Sequence, residues 1–270
     1  VPDRYRSIAL SMVVTGSSIA MILGMPLGRV IGLHVGWRMT FFSIGVFSAH
    51  TFLYIAWRLP KVPSSGGFSP KKLPELLRHK GIMGLYLFTL LISSAIYVAY
   101  SYIEPFLKQV SLMPDDWVTT ALMVFGGAGL LGSIAFSKYY NRNRKLFITV
   151  NVAAMALCLL LLYPVSSGFL PVIVLLAVWG ATATAYNVAM QSNMILVTTP
   201  ESTPVAMSIF SGIFNLGIGS GAFFGGAICS DLSISHIGLV GGVLALIGLV
   251  YWVARLGNRL EPKDTLDKYL

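Results

Sequence analysis

Charge-free stretches divide this chain before any motif is read. Between Arg6 and Arg29 stand 22 uncharged residues, between Arg38 and Arg58 there are 19, between Lys80 and Glu104 there are 23, and between Asp116 and Lys138 there are 21. Lys145 to Glu201 encloses 55, Glu201 to Asp231 encloses 29, and Asp231 to Arg255 encloses 23. A helix that crosses a membrane needs about 20 mostly apolar residues. The run of 55 is too long for one crossing and suits two, with the break at the turn signal Tyr163-Pro164-Val165-Ser166-Ser167-Gly168-Phe169-Leu170-Pro171. None of the runs alternates, and lipid admits only helices or closed barrels. The pattern predicts an all-α polytopic membrane protein with eight transmembrane helices.

Composition agrees. Hydrophobic residues make up 56 % of the 270 and charged residues 11 %, against about 25 % charged in a soluble domain. A soluble enzyme, a nucleic-acid binder and a disordered tail are all excluded, because so few polar residues cannot cover a soluble surface. The net charge of +9 then becomes a question of sidedness. With eight spans, residues 1–6, the loops 58–80 and 138–145, the turn near 197–204 and the tail from 255 share one side. That side holds 16 of the 19 Lys and Arg residues, leaving Arg29, Arg38 and Lys108 opposite. Positive residues accumulate in cytoplasmic loops, so both ends of the chain are expected in the cytoplasm. Cys158 and Cys229 sit in apolar surroundings and read as inert thiols; no metal or other cofactor is expected.

Two stretches repeat at a constant offset of 197 from Ala9 onward: Ala9, Ser11, Ala20, Gly24 and Gly28, then Ala206, Ser208, Gly217, Gly221 and Gly225. Parallel repeats of this kind mark transporters built from two similar bundles. The Pro/Ser/Gly-rich stretch after Arg58 is the natural boundary between them. The expected division is residues 1–59 as the last two helices of an N-terminal bundle, 60–80 as a cytoplasmic inter-bundle loop, 81–256 as a six-helix C-terminal bundle and 257–270 as a cytoplasmic tail. If the bundles are equal, four spans precede Val1 in a parent of roughly 390–400 residues and about twelve spans. On that expectation the 270 residues alone are inactive, because half the cavity is missing.

Gly16, Ala20, Gly24, Gly28 and Gly32 recur at i+4, a row that lets a second helix approach closely, and Pro26 inside the row bends its helix. The string Gly24-Met25-Pro26-Leu27-Gly28-Arg29 resembles the antiporter signature of the fifth helix of major facilitator superfamily transporters, although Met25 separates the Gly from the Pro. With Ala99-Tyr100-Ser101-Tyr102-Ile103-Glu104-Pro105-Phe106, Phe125-Gly126-Gly127-Ala128-Gly129 and Ala206-Met207-Ser208-Ile209-Phe210-Ser211-Gly212-Ile213-Phe214-Asn215, the chain is similar over nearly its whole length to bacterial sugar efflux transporters of the drug:proton antiporter type. The resemblance implies a multi-pass protein of the bacterial inner membrane. It would export arabinose-like sugars and glycosides, with proton entry as the driving force, and would be monomeric when complete. Drug or amphipathic-metabolite efflux is the alternative within transport. A membrane enzyme is not expected, because no span contains Asp and His50 stands alone, more consistent with a packed neutral imidazole than a relay.

The residues suggest where such a substrate would sit. Tyr97, Tyr100 or Ser101, and Glu104 fall on one face at i, i+3/i+4 and i+7, a stripe of hydroxyls and aromatic rings suited to a sugar. Glu104 is the one acid that could lie within a span. Two readings of it stand open: a titrating carboxylate that couples protons, or a snorkelling partner of Lys108 at i+4. Asn187 and Gln191 stand at i+4, with Trp179 and Tyr186 on a neighbouring face. They either line a cavity or join helices by hydrogen bonds worth about 0.6–2 kcal/mol. Asn215 has the same two readings. Residues 137–145 resemble a cytoplasmic gating loop, or simply carry positive-inside charge.

Overall fold

The computed structural model describes residues 24, 27–58 and 73–257. The chain falls into two compact units, residues 1–67 and 68–270.

In the first unit, a helix over 27–35 (α1) meets α2 (Trp37–Arg58) at Gly36. Gly36 has φ +97°, a conformation that costs a residue with a Cβ but not glycine. The corner turns α2 back along α1, and Thr40 Oγ1 donates to the Gly28 carbonyl at 3.2 Å. A Cβ on Gly28 or Gly32 would meet Thr40 at 3.6 Å, ordinary contact, and one on Gly24 would meet nothing within 4 Å. The packing of α2 therefore does not require these glycines. Gly16, Ala20 and Pro26 lie outside the described residues. No residue of α2 is buried, so His50, expected to be packed, is exposed instead.

The second unit contains α3 (Leu73–Arg78), α4 (Lys80–Tyr100), α5 (Ile103–Gln109), α6 (Asp115–Tyr139), α7 (Arg144–Leu161), α8 (Phe169–Leu196), α9 (Thr203–Asp231) and α10 (Ile237–Tyr251). The last continues as one π-helical turn, Trp252–Leu256. The break between α7 and α8 falls where the Pro/Ser/Gly signal predicts it. Among the described residues seven helices, not eight, are long and apolar enough to cross a membrane, six of them in this unit. The span expected between Arg6 and Arg29 lies mostly outside the described residues.

One continuous helix from Lys80 through Glu104 was expected; the structure breaks it. α4 ends at Tyr100, and α5 starts at Ile103 after a turn in which Tyr102 has φ −117° and ψ 13°. Pro105 is the cause, since it has no N–H for the carbonyl of Ser101 and its ring crowds that carbonyl.

The six spans pack with an internal symmetry. α4 lies chiefly against α9 and then α10; α8 lies against α6 and then α7; α7 and α10 meet each other. The trio α4, α6, α7 therefore has the same neighbours as the trio α8, α9, α10, and successive spans run in opposite directions, so the two trios are inverted copies. This repeat nests inside one unit and is distinct from the parallel one read in the sequence.

Glycine closes both main seams. A Cβ on Gly217 would strike Ser93, one on Gly221 would lie 2.6 Å from the Ser94 carbonyl, and one on Gly225 2.5 Å from that of Val98. In the matching seam, a Cβ on Gly132 would strike the backbone of Ala181 and one on Gly180 that of Phe125. In lipid the hydrophobic effect cannot drive helices together, and close van der Waals approach replaces it. Tyrosine hydroxyls add second hydrogen bonds to α9 carbonyls from α4 and the turn after it: Tyr86 Oη donates to Ala206 at 3.0 Å and Tyr102 Oη to Ala222 at 2.9 Å.

Candidate functional site

The antiparallel course of α4 and α8 brings two sets of aromatic residues together. Nearer the end of the bundle that bears Glu104 and Asp115, the Tyr100 ring stacks on Phe125 of α6 at 4.7 Å and meets Trp179 of α8 edge-on at 6.0 Å. Phe125 and Trp179 pack edge-on at 5.4 Å. Tyr97 extends the set, edge-on to Tyr100 at 5.7 Å and to Phe214 of α9 at 6.3 Å. Four helices thus contribute to one aromatic cluster. Its inner members, Phe125 and Trp179, are buried, whereas Tyr97 and Tyr100 are half-buried. The indole Nε1 of Trp179 is buried without a hydrogen-bond partner.

Further along α8, Tyr186 is buried against Phe88 of α4, ring centroids 5.8 Å apart. Its hydroxyl and that of Thr89 are both buried without a hydrogen-bond partner among the described residues. On the neighbouring, half-exposed face of α8, Gln191 Nε2 donates to Asn187 Oδ1 at 2.6 Å. The side chains of this pair make no other hydrogen bond among the described residues. The amide group of Asn187 still has protons to donate, and Gln191 Oε1 still has lone pairs to accept.

The other candidates lie apart. Ser101 is exposed at the end of α4. Glu104 lies beyond the helix break, which interrupts the regular i+7 spacing from Tyr97. Its Oε1 is 3.4 Å from Lys108 Nζ, and Lys108 also reaches Asp115 at 2.8 Å, joining α5 to α6. The i+4 pairing offered as one reading of Glu104 is therefore present. Asn215 is exposed, and its Nδ2 donates to the carbonyl of Ser211 in its own helix at 2.8 Å.

Sequence reasoning did not include Phe125, Phe214 or Thr89 among the site residues, and placed Trp179 only on a neighbouring face. Phe125 and Phe214 stand in the strings that carry the family resemblance, but nothing in their own helices marks them as ring partners of Tyr100 and Tyr97.

At the opposite end of the bundle, the loop after α6 seats Tyr140 on Phe136 at 4.5 Å, with the Arg144 guanidinium 5.7 Å from its ring. Burial pushes the Tyr140 phenol above its ordinary range, and the nearby Ser192 hydroxyl and Arg144 charge partly offset the rise.

Among the described residues, seven apolar helices of crossing length, seams closed by glycine and a half-buried polar–aromatic surface define a multi-pass membrane protein. A family model described as Major Facilitator Superfamily matches residues 1–196 and, in a second and overlapping match, residues 143–268. The chain belongs to the major facilitator superfamily, whose members are secondary transporters of small molecules.

Proposed function

We propose that this protein is a proton-coupled exporter of sugars, arabinose-like sugars and glycosides among them, working by alternating access from a bacterial inner membrane. The observation that carries the reading is the half-exposed amide pair Asn187–Gln191, which offers a donor and an acceptor to a hydroxylated ligand. Tyr97 and Tyr100 supply rings on which a sugar face can rest. Sidedness follows from charge. Arg78, Lys80, Lys138, Arg142, Arg144, Lys145 and Arg255 gather at one end of the spans, whereas Glu104, Asp115, Asp116 and Asp231 stand at the other with Lys108. The basic end is the cytoplasmic one.

Glu104 is the carboxylate proposed to take up the proton. When it is charged, Lys108 is shared between two acids; when it is neutral, Lys108 is left to Asp115. That exchange alters the tie between α5 and α6 beside the helix break at Tyr102.

A second reading, efflux of amphipathic drugs, is favoured by the mostly apolar character of the Tyr100–Phe125–Trp179 stack. Accumulation assays separate the two. Cells expressing the parent of about twelve spans, the form expected to export, should hold less labelled arabinose or thiogalactoside than control cells and the same amount of a lipophilic cationic dye. Lowered dye with unchanged sugar would replace the first reading by the second.

A further inference from the structure

α9 and α10 both pack on α4 but touch each other little. The gap between them is a cleft of about 760 Å³. Leu90 and Ser94 of α4 form its floor, Leu216 and Ser220 of α9 one wall, and Leu244 of α10 the other. None of these residues belongs to the aromatic cluster or the amide pair.

The walls select the occupant. The two hydroxyls in the cleft bind each other, Ser94 Oγ to Ser220 Oγ at 2.9 Å, and Ser220 also reaches the Gly217 carbonyl at 3.2 Å. Both of their protons are taken, so a sugar or a water chain would find few partners along the apolar length of the cleft. An alkyl chain would find continuous contact there. The cleft follows α9 from Leu216 to Leu232, about 24 Å at 1.5 Å per residue. One leaflet of hydrocarbon is about 15 Å thick, so the cleft can take a whole acyl chain and still extend into the headgroup layer. The carboxylate of Asp231 stands there, at the exposed end of α9. It has no cationic partner among the described residues.

We propose that this cleft is a binding site for an amine-headed membrane lipid of the leaflet at the acidic end of the bundle. One acyl chain lies between α9 and α10, and the ammonium group pairs with Asp231. Charge complementarity selects the headgroup, and the apolar, leaflet-length cleft selects a lipid over a soluble amine.

The probe is phosphatidylethanolamine with a photoreactive group near the end of one acyl chain, in nanodiscs that hold the protein. Phosphatidylglycerol carrying the same chain is the comparison. Peptides of α9 and α10 around Leu216 and Leu244 should be labelled about fivefold more by the amine lipid, the preference expected of one exposed ion pair. Asp231→Asn should remove the preference while leaving some labelling. Ala227→Trp, which fills the cleft, should remove labelling by both lipids. Asp231 is exposed, so its variant tests the headgroup even if Ala227→Trp does not fold. Equal labelling by the two lipids, labelling spread evenly over the other lipid-facing helices, or an Asp231→Asn protein that keeps the preference would each overturn the proposal.

Discussion

Gln191 donates its Nε2 proton to Oδ1 of Asn187 one helical turn earlier, at 2.6 Å, on a face of α8 that is half exposed. A hydrogen bond within one helix does not join two helices. The helix-joining reading of this pair therefore has no support from its contacts among the described residues, and the proposed function assigns its spare donor and acceptor to a ligand.

Replacing Asn187 or Gln191 with Leu should lower sugar export about tenfold, the loss expected when one or two ligand hydrogen bonds of about 1 kcal/mol each go. The melting temperature of the purified protein should hardly move, because polar contacts inside membrane proteins average about 0.6 kcal/mol. Export rate and thermal unfolding of the same preparations check this. Unchanged export would remove the pair from the site.

Glu104→Gln keeps the shape of the side chain and removes its titration. In the complete protein it should abolish export driven by a pH gradient while sugar exchange across the membrane continues. Lys108→Met should disturb the pH dependence with under about 1 kcal/mol of lost stability, because the exposed pairs it breaks are worth little. Gradient-driven export that survives Glu104→Gln would confine Glu104 to its ion pair with Lys108.

Gly180→Val tests the α6–α8 seam. Its new Cβ would meet the backbone of Phe125, which cannot swing aside as a side chain can. The substitution should cost at least about 1–3 kcal/mol, the usual range for overpacking. Gly24→Ala, where nothing lies within 4 Å, serves as the neutral comparison. Thermal unfolding in detergent reads both.

α7 begins at a side-chain cap, with Asn143 Oδ1 accepting from the Leu146 N–H at 2.9 Å. Asn143→Ala should cost about 1 kcal/mol. Hydrogen exchange at the Leu146 and Phe147 amides should quicken if the first turn frays, and exchange at Met155 should stay slow.

Span positions were legible because charge is costly in lipid: Lys80, Lys138, Lys145 and Asp231 stand at helix ends, where charge-free counting puts them. The α7–α8 turn was legible for a similar reason, since Pro164, Gly168 and Pro171 crowd into nine residues. The helix break at Tyr102 was less so. Pro105 was visible, but its effect falls on a carbonyl four residues earlier, and the face assigned to Tyr97 and Glu104 ran straight through it. The aromatic cluster was hidden for another reason. Periodicity sorts residues onto faces of one helix and does not say which helix lies opposite, so Tyr100 could not be matched to Phe125 and Trp179. The inverted relation of the two trios was not visible either, because the two seams need share only small residues, Gly132 in one and Gly217 in the other.

The glycine contacts between α4 and α9 also bear on how the fold responds to cold. Soluble domains lose stability on cooling because unfolding wets apolar surface, which gives the transition a large heat capacity. Drawing α4 away from α9 within a bilayer would expose Gly217, Gly221 and Gly225 to acyl chains, and no water would be recruited. The heat-capacity change of that separation is therefore small, and the free energy of the seam should vary almost linearly with temperature, with no downturn towards freezing.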